Sequence, residues 1–176
     1  MEVRFVAPEW ENLDALRSEA ILTPFFSDER PLCGVLGLID WRMCGFVSRM
    51  VVRGLISGTR GEHALVPLKP RFTVDKLFLF GLGPEADFDE HVLRDTMAGM
   101  LDVVARAQVR ASAIVLPGRG TQRVPAAEAM ESFVRAVAAR DTQDEVVLLE
   151  PLEAHKDMEP ILQRERRRAR AASVGA

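Results

Sequence analysis

The sequence predicts a single three-layer αβα domain of the α/β class, built on a mixed sheet. Short apolar runs alternate with helix-period segments along nearly the whole chain, in the order β-α-β-β-α-β-α-β-α. Two of the runs, Leu77–Phe80 and Ala113–Leu116, are continuously apolar, as in strands covered on both faces. The chain has 176 residues, 48% of them hydrophobic and 28% charged, enough to bury one core.

Taken in order, Glu2 to Ala7 alternates with Val3, Phe5 and Ala7 on one side, the period of a strand. Pro8 to Arg17 is open between a brief helix and a loop packed by Trp10, Leu13 and Leu16. Residues 20–26 read as a strand. Ser27-Asp28-Glu29-Arg30-Pro31 then supplies a turn and a helix start. One long helix is expected from there to Arg53. Val35, Ile39, Met43, Phe46, Val47 and Met50 give it a buried face, Arg42, Arg49 and Arg53 a wet one, and Gly54 a stop.

A glycine-punctuated loop to Gly61 precedes a strand over Glu62–Leu68, which Pro67 marks as an edge strand or a strand end. Val74–Phe80 is the strongest strand, with the character of a central one, and it runs into Gly81-Leu82-Gly83-Pro84. Asp87, Asp89 and Glu90 suit a helix N-terminus. Leu93, Met97, Met100, Leu101 and Val104 form the buried stripe behind it. The strand Ala113–Leu116 ends in Pro117-Gly118-Arg119-Gly120. A helix follows from Pro125, with Ala126, Ala129, Met130, Phe133, Val134 and Val137 inward. Glu145–Leu149 is the last strand. Met158, Ile161 and Leu162 dock the start of a C-terminal helix that is expected to outrun the domain and fray. The division is therefore a domain over residues 1–152 and a C-terminal helix with basic tail over 153–176.

Net charge is −3, so no general attraction to nucleic acid or anionic membranes follows. The N-terminus lacks the apolar region of a secretory signal, and no apolar run is long enough to span a bilayer. Cys33 and Cys44 are eleven apart; within one helix that is ~16 Å along the axis, too far for a disulfide. They read as small packing residues, and a reducing cytoplasm is the expected location. His63, His91 and His155 sit at unrelated spacings, and no metal site is expected of them.

The order and phrasing of these segments resemble the N-terminal domain of the M17 leucine aminopeptidases. The resemblance lies in the strand, acidic loop and helix from Asp28-Glu29-Arg30 to Arg53 and the glycine-bounded segment Gly54 to Gly61. It continues in the strand ending at Gly81-Leu82-Gly83 with its acidic-capped helix, and covers roughly residues 2 to 150. It implies a macro-domain-like fold. In that family the chemistry belongs to a two-metal C-terminal domain, with signature segments resembling Asn-Thr-Asp-Ala-Glu-Gly-Arg, and none occurs in these 176 residues. The expectation is therefore a stand-alone relative with no catalytic residues, no cofactor and no metal.

Macro domains hold ADP-ribose on two glycine-rich loops, and two stretches resemble them. Ser112 to Pro125 is similar to the second loop, though shorter and with Gln122 in place of a glycine. Cys33-Gly34-Val35-Leu36-Gly37 falls where the first would be, without its open glycine run. The only asparagine, Asn12, stands too early to serve as theirs. Candidate ligand residues are Gly81, Gly83, Gly118, Arg119, Gly120, Thr121 and Arg123, set against the plainer reading of both glycine loops as strand-to-helix turns. Arg164, Arg166, Arg167, Arg168 and Arg170 are the candidate partner contacts, against a solvated helix end.

The function expected is assembly or regulation through protein–protein contact, as a homo-oligomer or with a full-length aminopeptidase paralogue. The alternative is a small-molecule sensor that binds a nucleotide-like, ADP-ribose-like phosphate at the strand-end loops. Some bacterial members of the resembled family bind DNA, but the negative net charge disfavours nucleic acid, and no membrane partner is expected.

Overall fold

The structure is a computed structural model and describes residues 1–140 and 142–174. Its elements are β1 (Glu2–Val6), α1 (Trp10–Asp14), β2 (Ala20–Phe25), α2 (Gly34–Arg42), α3 (Phe46–Val52), β3 (His63–Pro67) and β4 (Lys76–Gly81). After a 3-10 turn at Glu85–Asp87 come α4 (Glu90–Arg106), β5 (Ala111–Ile114), α5 (Ala126–Ala138), β6 (Glu145–Leu149) and α6 (Leu152–Val174). The six strands form one sheet in the order β1-β6-β5-β2-β4-β3, parallel except for β3, which runs antiparallel to β4. The predicted three-layer fold with a mixed sheet is what forms.

Strand alternation sorts the apolar side chains into two cores. Leu22, Phe78, Phe80, Ile114, Val146 and Leu148 face one way, toward the stripe Val92, Leu93, Met97, Met100, Leu101 and Val104 of α4 and toward α5 and α6. Ile21, Phe25, Leu77, Leu79, Ala113, Val147 and Leu149 face the other way, against Leu13, Val35, Leu36, Ile39 and Val47. Because both faces are covered, β4 and β5 need continuous apolar runs rather than alternation. β4 itself lies one strand in from the edge, and β2 occupies the more central place.

The long helix expected up to Arg53 is two helices. Cys44 takes φ 55° and Gly45 φ 74°, which interrupt the helix after Arg42. The buried carboxylate of Asp40 then caps the second helix: its Oδ1 accepts the N–H groups of Val47 at 2.7 Å and Ser48 at 3.1 Å, and Oδ2 accepts the Ser48 hydroxyl. The break separates the three arginines that one helix would have aligned. Arg42 turns to the carboxylate of Asp14 and stacks over Trp10 and Phe72. Both cysteines are exposed, contrary to the packing role expected of them: Cys33 precedes the first turn of α2, and Cys44 sits in the interruption.

α4 begins as predicted, with Asp89 Oδ1 accepting the Val92 N–H at 2.8 Å. α6 docks through Ala154, Met158, Ile161 and Leu162 onto the same core as α4 and α5. It continues as helix through the arginine run to Val174, with Pro160 inside it, where fraying was expected. Residues 175–176 of the predicted tail lie outside the described residues.

Candidate functional site

The parallel strands β2, β4, β5 and β6 all end at one rim of the sheet, where an open α/β fold binds ligands. The loops there are Ser27–Cys33, the segment around Gly58, Gly81–Pro84, Leu116–Pro125 and Glu150. The structure therefore brings together both candidate glycine loops and the start of α2.

These loops are closely laced. Gly81 lies so near the 58–59 backbone that a Cβ there would sit 2.0 Å from the Thr59 carbonyl oxygen. The N–H of Gly83 donates to the Gly58 carbonyl at 2.8 Å, and the N–H of Ser27 to the Gly83 carbonyl at 2.9 Å. Across the rim, a Cβ on Gly34 would meet the Gly120 carbonyl oxygen at 2.9 Å, so the start of α2 and the Gly118–Gly120 loop meet backbone to backbone. At Gly81 and Gly34 a larger residue would push the loops apart.

Free N–H groups at such a rim are what hold phosphate. Here carboxylates of the chain itself take many of them. Glu29 accepts the N–H groups of Phe26 at 3.1 Å and Cys33 at 2.8 Å. Burial pushes its carboxyl above the usual range, against the pull of those two hydrogen bonds. Asp28 Oδ1 accepts the Glu85 N–H at 3.0 Å. Glu62 Oε2 accepts the N–H groups of Ser57 at 2.8 Å and Gly58 at 2.7 Å, and also the Ser57 hydroxyl. Although burial works against it, this set of donors leaves the Glu62 carboxyl below its ordinary value.

Arg119 is committed in the same way. Its Nε and Nη2 donate to the Glu150 carboxylate at 2.8–3.1 Å, and Nη1 donates to the Val124 carbonyl at 2.7 Å. The two side chains are only 10% and 1% exposed. Burial raises the Glu150 carboxyl, and Arg119 opposes it. Among the seven candidate ligand residues, two side chains remain uncommitted among the described residues. Arg123 is exposed, and the Thr121 hydroxyl is buried without a hydrogen-bond partner.

Sequence reasoning did not single out Glu29, Glu62 or Glu150 as structural groups. Glu150 carried a signal: a carboxylate directly after the buried run Val146–Leu149 requires a partner. Of the candidate partner arginines, Arg166 donates to the Val3 carbonyl at 2.7 Å and Arg168 pairs with Glu165 at 2.6 Å. Arg164 and Arg167 lie exposed beside Lys156 along α6.

The fold defines the class: a macrodomain-type α/β domain. It superposes on a Trypanosoma brucei macrodomain in complex with ADP-ribose with TM-score 0.68 at 15% identity, covering 92% of this chain and 69% of that one. For the macrodomain of Thermus aquaticus DarG the TM-score is 0.64 at 18% identity, with 85% and 98% covered. A tomato leucine aminopeptidase variant gives 0.61 at 12% identity, covering 90% of this chain and 35% of that one. Within that class, the chain belongs to the cytosol aminopeptidase family: residues 24–145 match the model of that family's N-terminal domain. A protein of Thermosynechococcus vestitus described as "Probable cytosol aminopeptidase" is 30% identical over 96 residues, which is 54% of this chain and 19% of that protein. Its Cyanothece counterpart is 26% identical over 93 residues, 53% and 19% of the two chains. The match thus spans about a fifth of those relatives' length.

Proposed function

We propose that this domain works through protein–protein contact, in assembly or regulation, without catalysis of its own. Its partner is another chain of its family, either a full-length aminopeptidase or further copies of itself. The observation that carries the reading is the α2–α3 pair. Within residues 41–55, Trp41 is 75% exposed, Val52 85%, Leu55 65% and Phe46 39%. Large apolar side chains left exposed this close together in the chain supply surface for a contact, and each Å² removed from water contributes about 25 cal/mol.

Three of the cysteine and histidine side chains among the described residues are engaged by their neighbours. The Cys33 thiol donates to the Pro31 carbonyl, and partial cover of its sulfur, with the Glu29 and Glu85 carboxylates nearby, pushes its pKa up. His63 stacks on Phe80, and His155 hydrogen-bonds the Glu150 carbonyl oxygen. Purified protein supplied with Mn²⁺, Zn²⁺ or Co²⁺ is expected to release no leucine from a chromogenic leucine amide. Metal-dependent release that survives repurification would overturn the non-catalytic part. The contact part is tested by solution mass, alone and with a full-length cytosol aminopeptidase, for wild type and for Trp41→Ser/Val52→Ser/Leu55→Ser. Loss of the complex with the full-length aminopeptidase in the variant is the expected result.

A second reading, a sensor for a nucleotide-like phosphate, draws on Arg123 and on the buried Thr121 hydroxyl at the rim. The carboxylates of Asp28, Glu29 and Glu62 on neighbouring N–H groups weigh against it.

A further inference from the structure

The two edges of the sheet are treated differently. β1 carries Glu2 and Arg4, and the Arg166 guanidinium sits on its Val3 carbonyl at 2.7 Å. Charge and a covering helix are the ordinary protections of a sheet edge. β3, at the other edge, is His63-Ala64-Leu65-Val66-Pro67, without a charged residue, and Leu65 is 56% exposed.

The hydrogen-bond phase of β3 follows from its register. Glu62 accepts from the Gly81 N–H and the Leu68 N–H donates to Asp75, so residues 62 and 68 turn their backbone groups toward β4. The intervening pairs Ala64↔Leu79 and Val66↔Leu77 are in the same phase. In an antiparallel pair alternate residues bond to the partner, so the N–H and C=O of His63 and Leu65, and the C=O of Pro67, point outward.

Resting on the contact reading above, we propose that this edge pairs with the β3 of a second copy, antiparallel about a two-fold axis at Leu65. In that register each Leu65 N–H donates to the Leu65 carbonyl of the other copy, and each His63 N–H to the other copy's Pro67 carbonyl. Pro67 stands where a carbonyl is used, and the missing N–H removes only its bond to His63. A register centred on Pro67 would lose its central pair entirely, whereas centring on Leu65 opposes the two exposed leucines and keeps Pro67 at the end of the ladder. The two exposed Leu65 side chains meet as a directly opposed cross-strand pair.

The flanks are consistent in charge. Lys69 is already engaged by Asp75 and the Glu62 carboxylate by the Ser57–Gly58 loop, and the neighbouring guanidiniums of Arg60 and Arg71 are turned back onto the carbonyls of Asp87 and Arg42, so the charges flanking the edge are met within each copy. Next to the strand, a groove of about 720 Å³ between β3 and α4, floored by Phe80, Met100 and Val103, gives the other copy's side chains room to approach. Strand addition of this kind draws affinity from main-chain bonds and specificity from such pockets.

The test is solution mass from micromolar to hundreds of micromolar for wild type and Leu65→Lys, with amide exchange measured on both. The expected result is a twofold mass for wild type, with the His63 and Leu65 amides slowed at least tenfold in the dimer, and a single-chain mass for Leu65→Lys at unchanged Tm. A dimer that persists in Leu65→Lys, or one in which those amides exchange freely, overturns the proposal and leaves the contact reading standing. A wild type that stays a single chain at the highest concentration also overturns it. Capture of a full-length aminopeptidase then decides the contact reading separately.

Discussion

The Arg119 guanidinium and the Glu150 carboxylate are locked together at the rim of the sheet, with Nη2 to Oε2 at 2.8 Å and both side chains almost removed from solvent. The pair ties the loop after β5 to the end of β6. Removing one partner leaves a buried charge alone, which costs about 3–5 kcal/mol. Arg119→Ala should therefore lower the urea midpoint sharply. Arg119→Met/Glu150→Leu should recover most of the loss, because a packed apolar pair has no charge to leave uncompensated. If Arg119→Ala unfolds like wild type, the pair has no structural weight.

Arg123 provides the contrast. It is exposed and unpaired among the described residues, so Arg123→Ala should leave Tm unchanged. Calorimetry with ADP-ribose, ATP and inorganic phosphate should show at most weak binding, and the variant should abolish whatever is seen. Tight binding of ADP-ribose, lost in Arg123→Ala, would move the account to the sensor reading.

Asp40→Ala removes the acceptor for Val47 and Ser48 at the start of α3. Loss of a helix cap of this kind costs about 1–2 kcal/mol. Asp40→Asn should retain part of it, since one oxygen remains. Chemical denaturation of the three proteins checks the order wild type, Asn, Ala.

The pH dependence at the rim follows from Glu29. Burial is the largest influence on it and raises its folded-state pKa above the unfolded value. A group raised in this way contributes stability that is fully present below the ordinary glutamate value and is lost as pH rises through the folded value. Asp102 behaves oppositely. Its pair with Arg140 lowers it, so its contribution is present above the ordinary aspartate value and lost as pH falls through the folded one. Across the weakly acidic range, the Tm difference between Glu29→Gln and wild type should move in favour of the variant as pH rises. A difference that stays constant with pH would mean that Glu29 ionises as it does in the unfolded chain.

The layers, the mixed sheet and the buried stripe of α4 were legible because they are period signals repeated over many residues. Pro67, through the N–H it lacks, announced an edge strand or a strand end, and β3 both lies at the edge and ends there. The break after Arg42 was not legible from period, since Val35, Ile39, Met43, Phe46, Val47 and Met50 fit one helix as well as two. The deciding groups are the left-handed backbone at Cys44 and Gly45 and the cap from Asp40, which comes from the preceding helix. At the rim, the arginine and the glycines lie in strand-end loops, as their order in the chain suggested. Their commitments were hidden, because Glu150 is 31 residues from Arg119 in the chain and only the fold brings them together.

The central claim is that this domain acts by binding another protein chain through α2–α3, and mass in solution tests it most directly. Wild type mixed with a full-length cytosol aminopeptidase should give a complex heavier than either component, and Trp41→Ser/Val52→Ser/Leu55→Ser should not, at unchanged Tm. If wild type stays at the mass of a single chain, alone and in the mixture, up to hundreds of micromolar, the claim is contradicted.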